Sequence, residues 1–457
     1  MRDPEGRLTM TDGEVVRALA VPVDADHFLR SALAADLVHQ GKLLAFALRD
    51  AQTAVASRLR FVSQPTEWCD AQLFDAASLT LDIQQQATAA SFDLKDASAW
   101  NILFVGTQPV FCDLLSFQAH SRDKWWAAGQ FARHFIVPLW LAQQRGLHAL
   151  DSFKCWRDGV DPQQARTLLG IKRYLHRCWP LVAAATATGV AGNAPAVSPS
   201  PNPGAGPITE RSRTFRTRLY ASLRWMLDGV RPTAGRAANA SLWSGYTGDR
   251  HHYPASSLTH KQQQVRAWLM QLVATQPAPA WVLDLGCNTG EFSAMALDAG
   301  AQVIAVDADH ACIQRLYLAH PGQPRLHPVV AAVDDLSGGR GWAGTEQAGL
   351  PSRLAGSADL VLMLALLHHL AVGASVPLDE IARFARACTR RWLIVEWIHP
   401  DDPQLTLLAR QRCREPVEFS LQRQRQAFVD AGFVVCSELP LAPAARTLAL
   451  LQATASA

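Results

Sequence analysis

The fragment 281–309, WVLDLGCNTGEFSAMALDAGAQVIAVDAD, constrains this chain more than any other stretch. Apolar residues at 281–283 read as a buried strand that ends at Asp284. Gly286-Cys287-Asn288-Thr289-Gly290 reads as a tight turn into a helix. A glycine-rich strand-to-helix turn lets a ligand approach the backbone closely and leaves free amide N–H groups beside it. Asn288 occupies a position where glycine would be easiest, and Asn is the other residue that best tolerates positive φ. A second apolar run ends at Asp307, 17 residues after Gly290. A carboxylate at that strand tip can accept two hydrogen bonds from ribose hydroxyls.

Two common nucleotide sites fail the pattern. A dinucleotide fingerprint starting at Gly286 needs glycine where Asn288 and Glu291 stand, which argues against a nicotinamide-dependent oxidoreductase. A phosphate-binding P-loop needs a lysine that the turn lacks.

The same alternation continues downstream. Strands are predicted at 281–285, 302–306, 326–330, 358–364 and 392–396, with helices at 290–299, 309–319, 378–389 and 421–431. Alternating strand and helix implies a parallel α/β sheet covered on both faces. The last apolar runs, 432–437 and 446–451, have no obvious helix between them and predict a hairpin with one antiparallel strand.

D-x-G-x-x-x-G followed by an acidic residue at the second strand end resembles the motifs of class I S-adenosylmethionine (SAM) dependent methyltransferases. The resemblance covers about 245–455 and is strongest at 281–309. It implies a Rossmann-like seven-stranded α/β domain with SAM as cofactor. By position, it implies that Asp284, Gly286 and Gly290 shape the methionine pocket, with Cys287 and Asn288 in the loop. Asp307 would hold the ribose and Ala308 would lie beside the adenine. Asp334 or Asp335 would reach the adenine amino group, with Asp335 favoured, and Leu364 would line the sulfonium. The pair His368-His369 would lie near the transferred methyl, where either imidazole suits proton removal near neutrality. Packing at the helix start is the plainer reading of the same pair. Glu396 ends the fifth strand and faces either an acceptor or the core. Trp243, Tyr246, Tyr253 and Lys261, with DDLSGGRGW, LLHHLAV and EWIHPDD, further resemble a bacterial methyltransferase group that includes a host-specific nodulation protein. The aromatic stretch 243–253 reads either as a lid over the cofactor or as ordinary packing.

Residues 184–210 are an Ala/Pro/Gly/Ser linker, too poor in large apolar groups to offset their ordering entropy. They separate a mostly helical α+β domain at 1–183 from the catalytic region at 211–457, which begins with a helical lead-in. In the first domain, 28–60, 71–89, 125–150 and 161–183 carry helical spacing, and 101–113 reads as a β-hairpin. Trp125, Trp126, Trp140 and Trp156 are expected in its core. Asp96, Asn101 and Asp113 resemble the catalytic loop and metal-binding Asp of the protein-kinase-like fold. No Gly-rich loop or strand lysine precedes them, and Leu114-Leu115 follows in place of Phe-Gly, which implies a degenerate relative. No metal site is expected.

The net charge is only +3 over 457 residues, so bulk electrostatics offers no reason to expect nucleic acid as a partner. The nine cysteines form neither a C-x-x-C pair nor a zinc-spaced cluster, which fits a reducing compartment. The opening MRDPEGRLTMTDGEVV has no apolar core of a signal peptide, so a cytoplasmic location is expected. The predicted function is methyl transfer to an unidentified acceptor, a small molecule or saccharide rather than bulk nucleic acid. The alternatives are a non-catalytic binding or scaffold protein, or a degenerate kinase-like domain fused to a methyltransferase. The N-terminal domain is a candidate for recruiting a protein partner.

Overall fold

The structure, a computed structural model, describes residues 5–11, 13–24, 27–120, 124–183, 210–233, 254–413, 415 and 419–454. The aromatic stretch 243–253 and nearly all of the linker lie outside the described residues. The chain forms two compact units, Met1–Thr233 and Ala234–Ala457.

The second unit is built on one seven-stranded sheet. Its strands are β9 (Trp281–Leu285), β10 (Gln302–Asp307), β11 (Leu326–Val330), β12 (Ala358–Met363), β13 (Thr389–Ile398), β14 (Phe433–Pro440) and β15 (Arg446–Ala453). The order is β11-β10-β9-β12-β13-β15-β14. β9 to β13 are mutually parallel, whereas β15 runs antiparallel to both neighbours. All five residues of β9 and of β11 are buried, as strands covered on both faces require. The strand order reverses between β9 and β12. In an open α/β sheet the crevice at the carboxyl ends of such strands takes the ligand. The expected strands and covering helices are present to within a few residues at their ends. The helix at Pro403–Gln411 is an addition, started by Asp402, whose carboxylate accepts from the N–H groups of Gln404 and Leu405.

The first unit differs more from expectation. Only Phe28–Arg30 and Ala32–His39 of the stretch 28–60 are helical. Gly41, at φ +66°, follows the helix end. The chain then forms β3 (Ala47–Asp50) and β4 (Thr53–Ser57), which join β1 (Gly6–Met10) and β2 (Glu14–Leu19) in an antiparallel sheet of order β1-β2-β4-β3. β5 (Phe92–Leu94) pairs antiparallel with β8 (Phe117–Ala119), and the long helix Asp70–Ala89, the hairpin of β6 (Ile102–Val105) with β7 (Gln108–Phe111), and the helices after 128 agree with the sequence. Trp125 and Trp140 are core residues, Trp156 is half-buried, and Trp126 is 72% exposed.

The helix Glu210–Gly229, expected to lead into the second unit, belongs to the first. The reason is a buried charge. Arg216, 1% exposed, gives Nη1 and Nη2 to the two carboxylate oxygens of Asp93 at 2.6 and 3.1 Å. Tyr220 Oη accepts from Gln84 Nε2 and bonds Thr88 Oγ1, so one helix face is pinned by polar groups as well as by Leu223 and Leu227. Among the described residues, no helix is long and apolar enough to cross a membrane.

Candidate active site

A cavity of about 580 Å³ opens at the carboxyl ends of β9, β10 and β12. That volume is within the range of small-molecule sites. One side is formed by the turn after β9 and the tip of β10: Asp284, Gly286, Cys287, Asn288, Thr289, Asp307, Ala308 and Asp309, with Val333 and Asp334.

The turn adopts the conformation its residues suggest. Gly286, Asn288 and Gly290 have φ of +74°, +51° and +86°. A Cβ on Gly290 would lie 2.4 Å from Leu316 Cδ1, so only glycine fits between turn and helix. Gly290 does not itself line the cavity; it starts the helix that closes the turn. The Asp307 carboxylate ties the site together. Oδ2 accepts from Asn288 N–H at 2.7 Å and Oδ1 from Asp309 N–H at 2.8 Å. Burial pushes this carboxyl up from its usual range, and the two amides oppose the shift. Each oxygen keeps acceptor capacity beyond its one amide. Asp284 is more fully enclosed, and burial raises it to about 6 despite the hydrogen bond from Ser293 Oγ at 2.6 Å.

The other side of the cavity follows β12. Leu364, Ala365 and Leu366 lead into a short π-helix, His369–Gly373, whose His369, Leu370 and Gly373 line the wall. The wall continues with Ala374, then Leu408 and Arg412 at the end of the 403–411 helix, and Leu258 and Lys261 of the 255–274 helix.

The histidine pair divides. His369 faces the cavity, whereas His368 is fully buried behind it, with ring centroids 4.0 Å apart. Neither ring nitrogen of His368 has a hydrogen-bond partner among the described residues. Burial lowers both imidazoles, His369 to about 4, with Arg446 adding to the effect. Both are neutral at pH 7. His368 is packed behind the wall and does not line the cavity.

Glu396 and Asp335 also lie away from the cavity lining. Glu396 is fully buried and does not line the cavity. It accepts from Lys261 Nζ, from Arg446 Nη1 at 3.0 Å and from Ala365 N–H at 3.2 Å. Burial alone would raise its pKa, but Lys261 and Arg446 outweigh burial and hold it near 2. Asp402 completes the group, meeting Arg446 Nε at 2.8 Å. Two buried cations are matched by two buried carboxylates, and the network holds Ala365, at φ +53°, against the cavity. Both members of the acidic pair after β11 are exposed, and Asp334 lines the cavity whereas Asp335 does not.

In the first unit, Asp96, Asn101 and Asp113 do come together. Asn101 Nδ2 donates to Ser116 Oγ at 3.1 Å, and Ser116 Oγ donates to Asp113 Oδ2 at 2.6 Å. Asp96 is raised by burial, with Asp113 adding to the shift. Arg17 of β2 pairs with Asp113 Oδ1 at 2.9 Å, taking part of the carboxylate that a metal would need.

The residues that sequence reasoning missed are those brought in from a distance. Lys261 and Leu366 are visible only as parts of a similarity, and Phe292, Leu408 and Arg412 carry no local motif.

Residues 258–438 match the family model described as a methyltransferase domain. The nodulation protein NoeA of Rhizobium meliloti strain 1021 is 27% identical over 424 residues, covering 88% of this chain and 84% of that protein. Among solved structures, magnesium protoporphyrin IX methyltransferase from Synechocystis PCC 6803, with bound SAM, is 16% identical, with a TM-score of 0.33. That match covers 48% of this chain and 94% of the other. The bifunctional kinase-methyltransferase WbdD is 14% identical with a TM-score of 0.34, covering 49% of this chain and 46% of the other. On the family match, the strand order and the turn–carboxylate pair, the second unit is a class I SAM-dependent methyltransferase domain, and the chain is a methyltransferase.

Proposed function

We propose that this methyltransferase modifies a small molecule or saccharide rather than bulk nucleic acid, and that His369 is its general base. The observation that carries this reading is a cavity sized for small ligands, with the glycine turn and Asp307 on one side and a neutral imidazole on the other. The net charge of +3 offers no broad surface attraction for a polyanion.

The residues fit SAM by their chemistry. Gly286 leaves room where a Cβ would press Leu366 Cδ1 at 3.2 Å, and Asp307 keeps acceptor capacity toward a ribose. Asp284, Gly286, Cys287 and Asn288 would hold the methionine end, Ala308 and Asp334 the adenine, and Leu364 the sulfonium side. When bound, SAM supplies a methyl group already activated on a positively charged sulfur. The chain contributes orientation and exclusion of water through Leu364, Leu366 and Leu370, and a proton acceptor at the His369 imidazole. An imidazole near 4 is a weak base, suited to an acceptor whose acidity rises as the new bond forms.

The test is incubation of the full chain with methyl-labelled SAM and fractionated cell extract. Label should enter a small-molecule or saccharide fraction, and His369→Ala should lose turnover while keeping SAM binding. Label recovered in nucleic acid, or SAM bound but never consumed in any fraction, would contradict the proposal.

A further inference from the structure

Resting on that reading, we propose that the acceptor is an amphipathic small molecule, an apolar body bearing a carboxylate or phosphate, and that Arg412 reads its negative charge.

The two sides of the cavity differ in kind. The turn side is acidic, with Asp284, Asp307, Asp309 and Asp334. The side that follows β12 is apolar, with Leu258, Leu366, Leu370 and Leu408. Apart from Lys261 and the acid Glu291, its polar side chains are His369 and Arg412, and among the described residues it has no Ser, Thr, Asn or Gln. A sugar ring needs many hydrogen-bonding partners when it leaves water, because each unpaired hydroxyl costs free energy. This wall does not supply them. An apolar body loses nothing there.

Charge narrows the class further. Two cations line the cavity, Lys261 and Arg412. Lys261 is neutralised by Glu396. Arg412 is exposed at the cavity mouth and forms no ion pair with any described residue. Its backbone N–H caps the 403–411 helix on Leu408 and Ala409, which fixes where the side chain starts. A guanidinium presents a planar fork of donors that matches carboxylate and phosphate oxygens. A cation at a helix C-terminus also complements the helix dipole, which an ammonium does equally well. Lysine substitution therefore separates anion recognition from helix stabilisation.

The test uses the full chain saturated with S-adenosylhomocysteine and isothermal titration with three matched probes: naphthoate, naphthyl phosphate and uncharged naphthamide. At least one anion should bind roughly tenfold tighter than the amide, the ratio that ~1.4 kcal/mol gives. Which anion wins distinguishes a carboxylate acceptor from a phosphate one. Arg412→Ala should erase that preference while leaving naphthamide and S-adenosylhomocysteine affinities unchanged, and Arg412→Lys should keep only part of it. If neither anion outbinds the amide, or if Arg412→Ala keeps the preference, the proposal is wrong. S-adenosylhomocysteine is titrated first. Its failure to bind would sink the cofactor reading, and this proposal with it. Normal binding with no anion preference would sink this proposal alone.

Discussion

Replacing Glu396 by Gln removes one charge from the centre of the second unit and changes almost no volume. The side chains involved are 0% exposed for Glu396, 5% for Lys261 and 1% for Arg446. Arg446 keeps Asp402, but Lys261 loses its carboxylate partner. Two routes give the size of the effect. Glu396 is held from 4.5 down to about 2, and at 1.36 kcal/mol per unit that is ~3 kcal/mol of charge-state stabilisation. Breaking a buried pair by removing one partner costs about 3–5 kcal/mol in general. The Glu396→Gln variant should therefore lose ~3 kcal/mol. A depressed carboxylate contributes stability that is fully present above its unfolded value and is lost as pH falls through its folded one. The gap between wild type and variant should thus be constant near neutrality and close between pH 4.5 and 2. Urea unfolding of the full chain measures the gap. Peptide-resolved hydrogen exchange over Thr389–Ile398 assigns it to the second unit. Adding Lys261→Met to the variant should restore most of the loss, since no unpaired charge then remains buried. A loss under about 1 kcal/mol, or a gap that does not change with pH, would refute the reasoning.

Gly290→Ala should cost about 2 kcal/mol or more, because alanine is strained at φ +86° and its methyl meets Leu316; thermal unfolding reads this, and an unchanged midpoint would contradict the close packing. The pH profile of kcat/KM should stay level as acidity increases past 6.5 and fall only toward pH 4, since His369 gains its proton there; a midpoint near 6.5 would show that the base is a different or a solvated histidine. Arg216→Ala should destabilise the first unit by roughly 1.5–3 kcal/mol through loss of the two-pronged bond to Asp93, which keeps His120 and Gln84, and leave SAM affinity unchanged; a loss of SAM affinity would assign the 210–229 helix a role in the second unit.

The sequence was most informative where backbone geometry dictates residue type. Gly286, Asn288 and Gly290 are each at positive φ, and the Asp307 carboxylate accepts two amides, so both ends of the proposed cofactor site could be read in one fragment. It was least informative where a side chain's direction depends on distant packing. A π-helix turns His369 into the cavity and leaves His368 behind it, a choice that no linear pattern marks. Glu396 has the same position at a strand end whether it faces an acceptor or two buried cations. Lys261 and Arg446, 135 residues before it and 50 after it, decide the matter. In the first unit, β1 to β4 are short and almost entirely half-exposed or exposed, so their alternation is weak and the helix-like spacing of 28–60 dominates the sequence pattern. The same distance effect hid the allegiance of the 210–229 helix, which follows the linker in sequence but answers to Asp93.

Isothermal titration of SAM into the full chain, beside an Asp307→Ala variant checked for folding by its thermal midpoint, reaches the core of the account. One SAM should bind per wild-type chain, and the variant should bind at least roughly tenfold more weakly, the equivalent of ~1.4 kcal/mol. A folded wild-type chain that takes up no SAM, or a variant that binds it as tightly, would contradict the assignment of the β9 turn and the β10 carboxylate as its site.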